Sequence, residues 1–286
     1  MTMNRMSILS LLVILGWFSV LHAAQQATFR SRTDLVRVDV LASNGRQPIT
    51  DLTPADFDVR DQGTQQTIEF MRLEDLPLNI VVVCDLSLSV AGDDAANIVR
   101  AVRSLLPTLR KGDRVSLITF GDVVVERLPL TEDVGSLVTA LEAAKPGGLT
   151  PLIDAVYTGI TLIGPEPGRS LALVFSDGLD TSSFLRRAQL LDAVKASPAT
   201  VYAASVGSAS TALLKEVTDT SGGRHTEIAS TRNLEAVFSE FLGEFRKRYV
   251  LGYEPTSTSP GWHRLEIKVR RAGVDVRARP GYIVAR

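Results

Sequence analysis

Apolar and polar positions change rhythm twice along the chain. Val36, Val38 and Val40 alternate with Arg37 and Asp39, Asn44-Gly45 supplies a turn, and Phe57, Val59, Ile68 and Phe70 continue the alternation. A period of two gives a strand one buried and one wet face, so short half-buried β-strands are predicted up to about Glu74. Near the other end Leu265, Ile267 and Val269 alternate with Arg264, Glu266 and Lys268. A turn at Ala272-Gly273 then leads into Val274 and Val276, which predicts a β-hairpin with one wet face.

Between these ends the apolar runs are unbroken: LNIVVVCD (78–85), RVSLITFG (114–121), RSLALVFSD (169–177) and TVYAASVG (200–207). Strands covered on both faces read this way, as in a parallel sheet. The segments between them carry helical stripes. Ala95, Ile98, Val99, Val102, Leu105, Leu106 and Leu109 fit a 3.6-residue period, and further helices are predicted at 134–144, 150–163, 186–196, 212–220 and 234–248. In the last, Leu234, Val237, Phe238, Phe241, Leu242 and Phe245 form the buried face, and Arg246, Lys247 and Arg248 suit the negative end of the helix dipole. The fold class is therefore α/β: a doubly wound, mostly parallel sheet over 77–248. Neither β-rich end has enough strands for independent stability, so segment 25–76 is expected to pair with 249–286 in one discontinuous β domain. Their charges are complementary, with ten basic and three acidic residues in 246–286 against six and nine in 24–84.

The first residues follow another rule. Arg5 precedes an apolar run from Ile8 to Leu21, and Ala23-Ala24 follow before Gln25-Gln26. A run of about 14 residues is shorter than the roughly 20 of a membrane span, which points to a secretory signal peptide over 1–23 or 1–24. The alternative is a short uncleaved anchor. An exported protein, periplasmic or secreted, is the expectation, with no membrane span after the leader.

Composition removes several function classes. Of 286 residues 45% are hydrophobic, enough for a sizeable core, and 31 basic against 32 acidic residues leave a net charge of -1 with no whole-molecule field for a polyanion. Nucleic acid is not an expected partner, despite the basic segment around Trp262 and Tyr282. The single cysteine, Cys84, cannot form an internal disulfide, and three dispersed histidines cannot build a zinc cluster. Within a strand Cys84 is expected to be buried and inert.

Ligands of open parallel sheets bind beyond the carboxyl ends of the strands, and three such places are rich in oxygen. The first strand ends in Asp85-Leu86-Ser87-Leu88-Ser89, the loop Pro146-Gly147-Gly148-Leu149-Thr150 reaches a helix start, and RSLALVFS ends at Asp177-Gly178. Each has a structural explanation by itself. Thr150 before Pro151 suits a helix cap, Asp177-Gly178 an ordinary turn, and Ser87 or Ser89 a local backbone bond. Asp180 is expected in a loop, and Asp93 and Asp94 at a helix start. Five side-chain oxygens converging would instead suit one hard cation.

As a set, Asp-x-Ser-x-Ser, Gly-Gly-x-Thr-Pro and Ser-Asp-Gly resemble the metal-ion-dependent adhesion site of von Willebrand factor A domains. The flanks PxDFDVRDQGTQQTI (54–68), RYVLGYEP (248–255) and WHRLEIKVRRAGVDVRARPGY (262–282) further resemble exported bacterial proteins of this type known mostly from Acidobacteria-like genomes. The resemblance implies that Ser87 and Ser89 bind a divalent cation directly, that Thr150 does so directly or through water, and that Asp85 and Asp177 act mostly through bound water. Magnesium is the expected ion, with manganese or calcium as alternatives. It also implies a partner protein that offers Asp or Glu to the metal, and a last helix, 234–248, that shifts on binding.

The expected function is thus an exported, metal-dependent protein-binding module of adhesion type, monomeric and not an enzyme. Two other classes compete. A metal-assisted phosphohydrolase could use Asp85 as phosphoryl acceptor, but such sites gather carboxylates where this one gathers hydroxyls. A structural envelope protein without metal is the other. A dinucleotide-binding enzyme is excluded, because the loop after the first strand lacks the glycines a pyrophosphate requires.

Overall fold

A computed structural model of the protein describes residues 35–73, 76–90, 92–176, 179–207 and 211–284. The predicted leader and Asp177 lie outside the described residues. In chain order the strands of the first part are β1 (Val36–Asn44), β2 (Gln47–Pro48), β3 (Phe57–Asp61), β4 (Thr64–Gln65) and β5 (Ile68–Leu73). The middle part runs β6 (Leu78–Asp85), α1 (Asp93–Leu105), β7 (Arg114–Phe120), β8 (Val124–Thr131), α2 (Ser136–Glu142), α3 (Leu152–Ile163) and β9 (Arg169–Ser176). It continues with α4 (Arg187–Ala196), β10 (Thr200–Val206), α5 (Thr211–Ser221), β11 (Arg224–Ile228) and α6 (Leu234–Arg246), and the chain ends in β12 (Tyr249–Tyr253), β13 (Gly261–Val269), β14 (Asp275–Arg277) and β15 (Gly281–Val284).

The central sheet has the order β11-β10-β9-β6-β7-β8. All its pairs are parallel except β7–β8, which is antiparallel. Side chains alternate across it as the pleat demands. Ile80, Val82 and Cys84 of β6 join the core under α1, α2 and α6, whereas Val81 and Val83 join the opposite core under α3, α4 and α5. This is why β6 reads as one apolar run: every residue in it is buried. Phe238, Phe241 and Phe245 seal one face, and burial of each contributes about 2 kcal/mol.

Strands from both ends of the chain complete two further sheets. In one, β1 pairs antiparallel with β12 and β14, and β12 with β5; in the other, β13 pairs with β3 and β15. Val38, Val40, Phe57, Val59, Tyr249, Leu251, Tyr253 and Leu265 share one core between them. Within it the carboxylate of Asp61 accepts hydrogen bonds from Tyr253 Oη (3.0 Å) and Tyr282 Oη (2.7 Å). The ring nitrogens of His263 lie 3.0 Å from Asp61 Oδ1 and 2.8 Å from Ser259 O, so the aligned polar groups are satisfied in the interior.

One expectation changes. The segments joined at Ala272-Gly273 do not form a hairpin ladder: β13 pairs with β3 and β15, while β14 crosses to β1. β13 pairs with β15 over Gly261–Arg264 and with β3 over Leu265–Val269, and β14 extends the sheet of β1 along Leu41–Ser43. Trp262 of the basic segment is partly exposed on β13, with the Lys195 ammonium 5.9 Å from its ring.

Candidate metal centre

β6 delivers Asp85, wholly buried, to the carboxyl edge of the central sheet. Its Oδ1 accepts a hydrogen bond from Ser87 N at 2.9 Å, an Asx turn that ends the strand, and its Oδ2 accepts one from Ser176 Oγ of β9 at 2.7 Å. The carboxylate is thus aimed by its own loop and by the neighbouring strand. Ser87 is buried and Ser89 exposed, with their hydroxyl oxygens 2.9 Å apart.

Two further loops are stitched to this one through backbone. Gly147 N donates to Leu86 O (2.7 Å) and Leu88 N to Gly148 O (3.2 Å), which holds the 146–149 loop against the first. Gly148 has φ +83°, and a Cβ there would meet Asp122 Oδ1 at 2.0 Å; a Cβ on Gly121 would meet Gly147 O at 2.3 Å. Only glycine allows the three backbones to come this close. On the other side Thr150 N donates to Thr181 Oγ1, and Thr181 N to Thr150 O, each at 2.9 Å. The structure therefore joins the loops that carry Asp85, Ser87, Ser89 and Thr150, and Ser176 brings the stem of the third oxygen-rich place against Asp85.

Thr150 is 5% exposed. The expected cap role belongs elsewhere. Asp180 Oδ1 accepts from Ile153 N at 3.1 Å and from Ser183 Oγ, so the loop residue closes the start of α3. Asp154 accepts from Phe184 N and Leu185 N, both at 2.9 Å, and fixes the same loop from the helix side. Asp93 and Asp94 stand in the first turn of α1, where negative charge is favourable, and Asp94 accepts from Thr231 Oγ1.

The candidate donor set is hard oxygen: a carboxylate and hydroxyls. That chemistry fits a magnesium-like cation. Among the described residues no three His, Cys, Asp or Glu side chains cluster as a metal-holding group. Cys84, next to Asp85 in β6, points into the core under α6, and burial together with the Asp85 charge pushes its thiol well above the usual range. It stays a neutral thiol.

Sequence reasoning did not single out Ser176 or Asp122. Ser176 orients Asp85 because β9 lies beside β6, a pairing no local pattern reveals. Asp122 follows β7 and abuts Gly148, and its only local signal is the preceding glycine.

An open, mostly parallel sheet with helices on both faces defines a doubly wound α/β module. The chain belongs to the von Willebrand factor type A domain family, whose sequence model matches residues 79–240. Among solved structures, an aerotolerance-related membrane protein from Bacteroides fragilis carrying multiple mutations to serines superposes with a TM-score of 0.50 at 17% identity, over 60% of this chain and 99% of its own. Proximal thread matrix protein 1 from the mussel byssus gives 0.53 at 12% identity, over 72% of this chain and 50% of its own. A structure of the mussel protein with a zinc-occupied metal-ion-dependent adhesion site motif gives 0.51 at 16% identity, over 59% of this chain and 48% of its own. This chain thus spans about half the length of the mussel protein. At these identities the likeness shows the fold. No curated protein matches the chain.

Proposed function

We propose that the protein is an exported, metal-dependent protein-binding module, in which residues 77–248 capture a partner and the β sheets built from both ends form its mount. Ser87 and Ser89 hold a divalent cation directly, Thr150 directly or through water, and Asp85 and Asp177 through bound water. The observation that carries this is the backbone interlock that holds the loop leading to Thr150, a residue only 5% exposed, against the loop of the aimed Asp85 carboxylate and the Ser87–Ser89 pair. Bound there, magnesium would supply a coordination position for an Asp or Glu of the partner, since neutral hydroxyls leave its charge only partly compensated. The zinc in the mussel protein's adhesion-site motif supports a divalent cation at this position in the fold. Ser87 and Ser176 keep the carboxylate in place while the partner arrives.

The module is not an enzyme on this reading. Asp85, the one residue a phosphohydrolase would use as acceptor, is wholly buried with a hydrogen bond to each oxygen, a poor posture for a nucleophile. Export is supported by the apolar run from Ile8 to Leu21, and likeness to the exported Acidobacteria-like type by the flanks that form the outer sheets. Among the described residues no helix is long and apolar enough to cross a membrane. The protein acts as a monomer.

Isothermal titration of the purified protein with magnesium and manganese tests the site. One-site binding that Ser87→Ala weakens at least about tenfold is expected. Equal binding by wild type and variant would sink the assignment.

A further inference from the structure

Large apolar side chains exposed to water are uneven on this molecule. Among the described residues half of them, Leu88, Val123, Leu149, Leu179 and Phe184, stand on the loops at the carboxyl edge of the central sheet. Leu88 is 70% exposed and lies between Ser87 and Ser89; Leu149 is 58% exposed and precedes Thr150; Leu179 is 44% exposed and follows Asp177 by two positions. Phe184 is 97% exposed, on the loop whose backbone Asp154 holds. Each loop that carries a proposed metal ligand thus also presents a leucine to solvent within two positions of that ligand in the sequence.

Their placement is fixed by the same bonds that build the site. Leu88 donates its own amide to Gly148 O, one residue before Leu149, and Thr181 N to Thr150 O brings the Leu179 loop to the other side of Thr150. The loops have little freedom to fold these side chains inward. The cores on either side of the sheet are complete without them. A monomer gains nothing from an apolar patch held open in this way, and patches of this kind mark interaction surfaces.

We propose that Leu88, Leu149, Leu179 and Phe184 form an apolar collar around the cation site, which selects a protein segment bearing one Asp or Glu flanked on both sides by aliphatic side chains. The inference rests on the metal-bridge reading above and goes beyond it by naming the flanks of the acidic residue. The carboxylate supplies metal dependence. The collar supplies discrimination, because a segment with polar or charged neighbours would lose their hydration against leucine without a return bond. Such a centre, one charged contact inside a desolvated apolar ring, is the arrangement in which a few residues dominate affinity.

A displayed heptapeptide library with glutamate fixed at its centre and the other six positions random is the probe, selected on the full protein in magnesium and counter-selected in EDTA. Selected peptides are expected to carry Leu, Ile, Val or Met next to the glutamate and to lose binding in EDTA. Leu88→Ser and Leu149→Ser, each at an exposed position, are expected to keep the fold by circular dichroism and to keep the magnesium affinity measured by titration, while each lowers affinity for the selected peptide about tenfold. Metal-dependent peptides with polar flanks, no selected peptide from a protein that binds magnesium, or unchanged peptide affinity in both variants would each overturn the collar. Failure of the protein to bind magnesium would instead overturn the reading on which the collar rests, and the collar with it.

Discussion

Asp180 closes the start of α3 through Ile153 N and Ser183 Oγ, beside the buried Thr150. On the proposed reading the two side chains separate stability from ligand capture. Asp180→Ala removes the cap and leaves the Ile153 amide without a partner, which is expected to cost about 1–2 kcal/mol in urea unfolding with little change in magnesium affinity. Thr150→Val keeps the shape, loses only the hydroxyl, and is expected to stay within about 0.5 kcal/mol of wild type while magnesium affinity falls at least about tenfold. A Thr150→Val variant that lost stability and kept its metal affinity would return Thr150 to a structural role. The oxygen-rich strand ends were legible at this scale because their side-chain chemistry is visible in sequence. The cap was not, since it depends on a loop 27 residues further on folding back over the helix start.

At the scale of elements, buried periodicity was the readable signal and exposure hid the rest. α1 and α6 carry continuous apolar stripes, and β6, β7, β9 and β10 are covered on both faces, so pattern alone located them. β8 and β11 escaped because they are the sheet's edge strands, with mostly half-buried or exposed residues that give neither an unbroken run nor a clean alternation. Long-range capping escaped as well. α4 ends on carbonyls that no residue of its own satisfies; Arg279, between β14 and β15, donates Nη2 to Val194 O (3.2 Å), Lys195 O (3.2 Å) and Ser197 O (2.8 Å). Burial pulls the Arg279 guanidinium down to about 10, opposed by the Asp39 charge, so it remains protonated at neutral pH. One terminal nitrogen of the cation is thus held among the carbonyls at the helix's negative end. Arg279→Ala is expected to cost about 2 kcal/mol, and Arg279→Lys to recover part of it, measured by thermal unfolding. Equal stability of the alanine variant and wild type would mean that water satisfies these carbonyls.

In the whole molecule a buried charge joins the central sheet to the outer strands. Arg169 opens β9 with a side chain almost wholly buried; its Nε donates to Asp39 Oδ1 of β1 at 2.7 Å and its Nη2 to Phe245 O of α6 at 2.9 Å. The guanidinium also lies 4.4 Å from the Phe245 ring centroid. One cation thus ties the central sheet, its last helix and the outer β sheets together. Close by, the buried Arg248, between α6 and β12, donates to Tyr202 Oη (3.0 Å) and Gly222 O (2.6 Å), so α6 is held at the end that a shift on partner binding would have to release. Charges buried in this way favour one cooperative unit, because opening either part strands its partner's charge in low dielectric. With Trp17 replaced by Phe, the fluorescence of Trp262 reports on β13, and far-ultraviolet dichroism reports on the helices. The two signals are expected to trace one urea transition, and Arg169→Met is expected to lower both midpoints together by about 3 kcal/mol of stability. Curves that separate in the wild type would show that the outer sheets unfold independently. Curves that coincide in the wild type and separate only in Arg169→Met would identify Arg169 as the source of the coupling, and would place the restraint on α6 in the same side chain that joins the mount to the binding module.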